Sequence, residues 1–383
     1  MKRICIILGI LMLTGCTAPQ YGDIQGDMPE SYIQGEEQLY LDKPDSTALN
    51  YSYQVGRWFP YMHFADYMQG CTEEEFRRNI RERFRSAAAE GVNTVYLHVH
   101  PCGDAYYQSD IFPPGTYLDG DYDPLAIMIE EAHDTGLSAH AWINPLRCQT
   151  TGQMMAMPES FILRQWAEDS SCGCIKTVGD RWYLDPSYPE ARELICRCTA
   201  EIIEKYHPDG IHIDDYFYPT TDTEFDHAEF ESSGSSDLSA WRTENCTAMV
   251  KELYDTVHSY DEGIIFGISP QGNINADYSK QYADVRLWSG IPGYCDYIVP
   301  QIYFGFLNET CPFEPTLRQW EALTESSTVQ LVIGLAEYKQ GQEDIWAGTA
   351  GENEWLDDPT VLEREIQLVR DSTANGYALY GNS

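Results

Sequence analysis

The sequence predicts a (β/α)8 barrel, and three observations carry that prediction. Short apolar runs rich in β-branched residues recur along the chain, each separated from the next by a helix-periodic segment. Eight such runs can be counted, the number that closes a parallel barrel. Several of the helical segments carry their own start and stop signals, so the alternation does not rest on hydrophobicity alone.

In chain order, 55–64 reads as strand one and 72–90 as a helix. A Thr-x-x-Glu capping box at Thr72 and Glu75 opens that helix, and Gly91 stops it. Strand two is 92–100, where polar and apolar residues alternate. Residues 123–135 form a helix with Pro124 in its first turn and Gly136 at its end, followed by strand three at 137–143. The helix 189–206 precedes strand four at 209–214, and the helix 238–260 precedes strand five at 264–269. Then come a helix at 278–288, strand six at 294–303, a helix at 313–325 and strand seven at 329–335. A helix at 360–374 and strand eight at 377–380 complete the pattern. Little chain is left for a last helix, so either N-terminal packing replaces it or the sequence is cut short. An open doubly wound sheet is the alternative fold, but no Gly-rich phosphate loop follows an early strand. The longest insertions, 146–183, 220–237 and 339–359, all follow strand C-termini and should crowd one mouth.

Residues 1–15 read as an export signal: Lys2 and Arg3 precede an apolar run, 4–13, too short to span a bilayer. Leu13-Thr14-Gly15-Cys16 is the pattern of lipoprotein processing, with an ordinary secretory signal and a chance cysteine as the alternative. A lipid on Cys16 would anchor the protein to the outer side of a bacterial membrane. Residues 16–50 are polar, acidic and without periodicity, as in a flexible tether, which leaves 51–383 as one barrel domain. The net charge of -37 makes nucleic acid or an anionic membrane surface a poor partner, while a neutral or amino-sugar polymer is compatible with it. The 12 cysteines include Cys172 and Cys174, and Cys196 and Cys198, but no CxxC pair, so zinc is not expected. No cofactor is expected. Disulfide pairing stays open.

The predicted strand ends bring one set of side chains to the rim. Strand two delivers His98, His100 and Asp104; strand three His140, Trp142, Asn144 and Arg147; strand four His212, Asp214, Asp215, Tyr216 and Tyr218. Strands five to seven add Gln271, then Gln301 and Tyr303, then Glu337 and Lys339. Carboxylates, amides and aromatics on one rim suit a polyhydroxylated substrate, which needs many hydrogen-bond partners and flat faces to stack on. Cleaving a glycosidic bond needs one carboxylic acid to protonate the leaving oxygen and one carboxylate to meet the positive centre. Adjacent residues on an extended strand face opposite ways, so Asp214 and Asp215 can form that pair only if the chain turns between them. Otherwise they would cap a loop and a helix, and Asp104 would be a turn residue. His98, His100, His140 and His212 admit a metal-site reading, and with it glycan deacetylation; hydrogen-bonding histidines lining a polar barrel are the plainer reading.

Specific passages resemble the glycosyl hydrolase-like ten family of exported barrel proteins. They are Gly103-Asp104-Ala105, Tyr122-Asp123-Pro124-Leu125 with Glu130-Glu131-Ala132-His133, and His140-Ala141-Trp142-Ile143-Asn144-Pro145. The strand-four passage from Asp209 to Pro219, Phe266-Gly267-Ile268-Ser269-Pro270-Gln271-Gly272 and the passage from Asp296 to Tyr303 follow in the same order. The family includes lipoproteins that cut peptidoglycan strands stripped of peptide. The resemblance implies Asp214 as nucleophile or charge stabiliser, with Asp215 or Asp104 as acid/base. Trp142, Tyr216 and Tyr303 are then expected to stack on sugars, and Asn144, Arg147, Gln271, Gln301 and Lys339 to bind hydroxyls or carboxylates. His100, His212, Tyr218 and Glu337 are further binding candidates. Two positions depart from the family: His100 stands where Arg is common, and Glu337 where small or apolar residues are. The expected function is hydrolysis of an amino-sugar polymer, with a metal-dependent deacetylase or a non-catalytic glycan-binding lipoprotein as alternatives.

Overall fold

The computed structural model describes residues 47–381. Its parallel strands are β1 (Gln54–Phe59), β2 (Thr94–His100), β3 (Ser138–Ile143), β4 (Gly210–Ile213), β5 (Ile265–Ile268) and β6 (Tyr297–Ile298). β7 runs in two stretches, Gln330–Leu331 and Ile333–Leu335, and β8 is Gly376–Leu379. The first stretch of β7 pairs with β6 and the second with β8, which pairs in turn with β1. These pairings close the ring of strands. The predicted (β/α)8 barrel is what forms.

The main helices between the strands, beside several shorter ones, are α1 (Glu73–Ala89), α2 (Pro124–Asp134), α3 (Pro189–Tyr206), α4 (Leu238–Tyr260), α5 (Val285–Gly290), α6 (Phe313–Thr324) and α7 (Val361–Arg370). The capping box at Thr72 and Glu75 is present on α1, and the Asp123 side chain caps α2. Among the described residues no helix follows β8, and no helix is long and apolar enough to cross a membrane. Cys16, residues 1–15 and most of the proposed tether lie outside the described residues. The last tether positions do not hang free. Leu49 N–H donates to Asp209 Oδ1 at 2.6 Å, and the Asn50 amide donates to the carbonyls of Asp209 and Gly263, each at 3.0 Å. Both partners sit just ahead of β4 and β5, so the chain enters at the N-terminal face of the barrel, opposite the strand ends.

Two predicted elements shorten for identifiable reasons. Strand six was expected over 294–303, but Pro300 has no N–H to give the ladder, and regular pairing stops after Ile298. The predicted helix 278–288 splits. Tyr282 takes a left-handed φ of 53°, and Asp284 starts a new helix by accepting from Leu287 N–H at 3.1 Å. The insertion after β3 folds into an antiparallel sheet of Arg147–Thr150, Arg181–Leu184 and Ile175–Val178, which the sequence reading did not foresee.

The barrel interior is aromatic. Trp58, Tyr96, Trp142, Tyr297, Val299 and Val332 form their own buried cluster, separate from the apolar layer between strands and helices. Glycines make room for the rings. A Cβ on Gly267 would lie 1.9 Å from the Tyr297 ring, and one on Gly56 would lie 2.6 Å from Tyr96.

Candidate active site

β4 ends at Ile213 and the chain turns at once, which allows the two carboxylates to meet. Asp215 N–H donates to Asp214 Oδ1 at 2.7 Å, so the backbone folds back over the first acid. From the end of β6, the Gln301 amide donates to the same oxygen at 2.7 Å and is itself steadied by Ser269 Oγ at 3.2 Å. Asp214 is 7% exposed and Asp215 half-buried. Burial first, and the adjacent Asp215 charge second, push Asp214 well above the usual carboxylate range. Burial raises Asp215 too, opposed by hydrogen bonds with Asp214 and Gln271 and by the Arg147 charge. Both acids are thus pushed in the same direction, toward the protonated form, and each one's charge bears on the other.

Asp104 lies in the turn after β2, buried, with Oδ1 accepting from Cys102 N–H at 2.9 Å. Burial moves its pKa from 3.8 up to about 6, against the pull of backbone hydrogen bonds and of the Arg181 and Arg147 charges. Arg147 acts electrostatically on both Asp104 and Asp215, and its guanidinium lies over the Tyr216 ring at 4.7 Å. Tyr216 is 40% exposed, the most open aromatic next to the acids. On the other side Tyr303, half-buried, stacks on Tyr380 with centroids 5.9 Å apart, and Tyr338 meets both edge-on. The charges of Asp214 and Asp215 act on Tyr303 and Tyr380 alike. Tyr61, after β1, has its hydroxyl pKa raised by burial first and then by its neighbours Cys102 and Asp104.

Of the residues singled out from sequence, the structure gathers Asp104, Asp214, Asp215, Arg147, Tyr216, Gln271, Gln301 and Tyr303 in one electrostatic neighbourhood. The others are engaged elsewhere. Trp142 is 3% exposed and lies flat on His98 at 3.5 Å, so no sugar can reach its face. Asn144 is fully buried, accepting from Trp142 Nε1 at 3.2 Å and donating to Pro101 O at 3.0 Å. His212 points into the barrel, accepting from Trp58 Nε1 at 3.2 Å and pairing with the Tyr297 hydroxyl at 3.0 Å. His100 packs against Phe112, and burial pushes it down to about 4. Tyr218 is buried and bonds Asp226, which pairs with Arg242. Glu337 pairs with Arg57 of β1 at 3.0 Å. Lys339 is spent on Asp344 at 2.6 Å and the Tyr303 carbonyl at 2.7 Å, so it supports the site rather than reaching substrate.

The histidines bear on the deacetylase reading. His140 and His212 share the Tyr297 hydroxyl, at 2.7 and 3.0 Å, and burial lowers the pKa of all four barrel histidines. Among the described residues no group of three or more His, Cys, Asp or Glu is placed to hold a metal ion. Sequence reasoning missed Tyr61, Tyr380 and Asp277. Tyr61 and Tyr380 follow the first and last strands with no polar motif to mark them. Asp277 is fully buried, accepts from Gln271 N–H at 3.1 Å, and leaves Oδ2 without a partner. Burial raises it well above the usual range, and the Asp215 charge adds to the shift.

Comparison with known proteins bears on family and fold. Residues 65–349 match the family described as glycosyl hydrolase-like 10. "Glycosyl hydrolase DigH" of Escherichia coli K12 is 31% identical over 314 residues, covering 73% of this chain and 68% of that protein. "Glycosyl hydrolase YngK" of Bacillus subtilis is 32% identical over 334 residues, covering 79% of this chain and 64% of that one. Among solved structures, the glycoside hydrolase domain of PgaB (BpsB) from Bordetella bronchiseptica superposes with a TM-score of 0.58. At 14% identity, over 86% of this chain and 93% of that one, this is a likeness of fold. With the family match spanning most of the barrel and these relatives alongside it, the chain belongs to the glycosyl hydrolase-like 10 family.

Proposed function

We propose that the protein hydrolyses glycosidic bonds in an amino-sugar polymer, with peptide-free peptidoglycan strands as the substrate. The observation that carries this reading is the carboxylate pair Asp214–Asp215 at the C-terminal end of β4, held by Gln301 and Gln271 beside the open face of Tyr216. The ionised carboxylate of this pair would meet the oxocarbenium-like centre, and the rise in both groups favours the partner keeping its proton. Asp104, with a pKa of about 6, keeps enough of its protonated form near neutral pH to donate to the leaving oxygen. Tyr216 offers a stacking face, and Arg147, whose charge acts on both Asp104 and Asp215, suits a substrate carboxylate.

All four histidines are buried, and His140 and His212 are tied to Tyr297 inside the barrel, so the observations favour hydrolysis over deacetylation. Export and a lipid on Cys16 remain part of the proposal, resting on Lys2, Arg3, the run 4–13 and Leu13-Thr14-Gly15-Cys16. The test is to incubate the purified protein with glycan strands carrying stem peptides and with strands stripped of them, and to identify released sugars by mass. The proposal expects new reducing ends from the stripped strands. Released acetate with intact strands would replace it with deacetylation, and no product from any amino-sugar polymer would end it.

A further inference from the structure

Trp346 is 84% exposed, more than any other large apolar side chain among the described residues, and Ile345 beside it is 66% exposed. An indole left in water forgoes a large burial gain, so its placement calls for a use. Its loop is not a loose tip. Asp344 Oδ1 accepts from Trp346 N–H at 3.2 Å, and Asp344 Oδ2 accepts from Lys339 Nζ at 2.6 Å. The loop after β6 is sewn to it: Glu309 N–H donates to Ala347 O at 2.8 Å and Ala350 N–H to Glu309 Oε1 at 3.2 Å. The Glu354 carboxylate accepts from Phe306 and Leu307 N–H at 3.1 and 2.8 Å, and Leu307 itself is 53% exposed. Three open apolar side chains thus sit on two braced loops at the C-terminal side of the barrel.

We propose that Trp346, flanked by Ile345 and Leu307, is a stacking platform for a distal sugar of the same polymer, several residues from the bond that is cut. This rests on the glycosidase reading above and adds a binding subsite to it. Continuity with the cleft supports this occupant. Lys339 Nζ bonds both Asp344 and the Tyr303 carbonyl, and Trp346 lies two residues, at most about 7 Å of chain, beyond Asp344. Tyr338, 44% exposed and edge-on to Tyr303 at 6.0 Å, continues the line of aromatic faces outward from the acids. A sugar chain presents an apolar face at each ring and can follow such a line.

A lipid surface fits the platform less well. Leu49 and Asn50, near the start of the described residues, fasten at the opposite face of the barrel. Glu309, bonded to Ala347 and Ala350, and Glu343 and Glu352 nearby in sequence add negative charge to these loops, which disfavours anionic headgroups.

The experiment compares the full-length protein with W346A on stripped glycan strands of graded length, by steady-state kinetics and by isothermal titration. The expected result is a KM about tenfold higher on long strands with kcat unchanged, and no change on fragments too short to span the mouth. Titration should show the same loss of affinity for long strands, and this reading holds even if no bond is cut. Equal affinity of both proteins for long strands overturns the platform. Loss of sedimentation with phosphatidylglycerol vesicles, with glycan binding unchanged, assigns the patch to membrane instead and also overturns it. Failure of the wild type to cut any strand, with W346A still weakening binding, removes the glycosidase reading and leaves a glycan-binding platform.

Discussion

Asp104→Asn tests the acid through two linked readouts. In the folded protein Asp104 titrates at about 6 rather than 3.8, because it is only 4% exposed. A rise of about two units corresponds to ~3 kcal/mol at 1.36 kcal/mol per unit. The sign follows from proton binding. Below pH 3.8 both folded and unfolded chains hold the proton, so Asp104 costs nothing. From there up to about 6 the unfolded chain releases it and the folded chain does not, so stability falls with rising pH by about 1.4 kcal/mol per unit. Above that window the loss is constant. Asparagine keeps an oxygen for Cys102 N–H but cannot ionise. Urea unfolding at pH 4, 5, 6 and 7 should therefore show Asp104→Asn gaining on wild type through the window and levelling off near 3 kcal/mol. In the same variant kcat should drop by about 10²–10⁴, and the fall in rate on the alkaline side of about pH 6 should vanish. A stability difference that is flat across pH, or that shrinks as pH rises, would refute the electrostatic argument. Undiminished kcat would remove Asp104 from the chemistry.

Gln301→Leu deletes the amide that favours the ionised form of the Asp214–Asp215 pair, a charge-assisted bond worth about 1.5–3 kcal/mol. The acid limb of kcat/KM should move upward by about one unit or more; an unmoved limb in a folded variant contradicts the role given to Gln301. Arg242→Met leaves Asp226 buried and unpaired, since both side chains are fully buried, and should cost about 3–5 kcal/mol by chemical denaturation. A loss under 1 kcal/mol would mean that the 220–226 loop can relax and rehydrate Asp226.

Much of the barrel was legible because its signals are local. The Thr72–Glu75 box, Pro124 behind the Asp123 cap, and the bounds of α3 and α4 depend on residues a few positions apart. Asp214 and Asp215 stood out as acids ending an apolar strand. The failures share another cause: which way a rim side chain points is decided by partners far along the chain. His212 is claimed by Tyr297, 85 residues away, and Glu337 by Arg57, 280 away. Trp142 and Tyr216 look alike in sequence. One lies on a regular strand and turns into the barrel, and the other lies past the turn and faces outward. The single ladder position of Pro300 cut strand six short, and composition gives no sign of how much of such a run survives.

The central claim is that the carboxylate pair after β4 performs the bond cleavage. The direct measurement is kcat/KM on stripped glycan strands for wild type, Asp214→Asn and Asp215→Asn, with melting curves confirming that each is folded. The account predicts that both substitutions lower kcat/KM by about a hundredfold or more, at unchanged or increased thermal stability near neutral pH. Either variant cutting strands at the wild-type rate would contradict it.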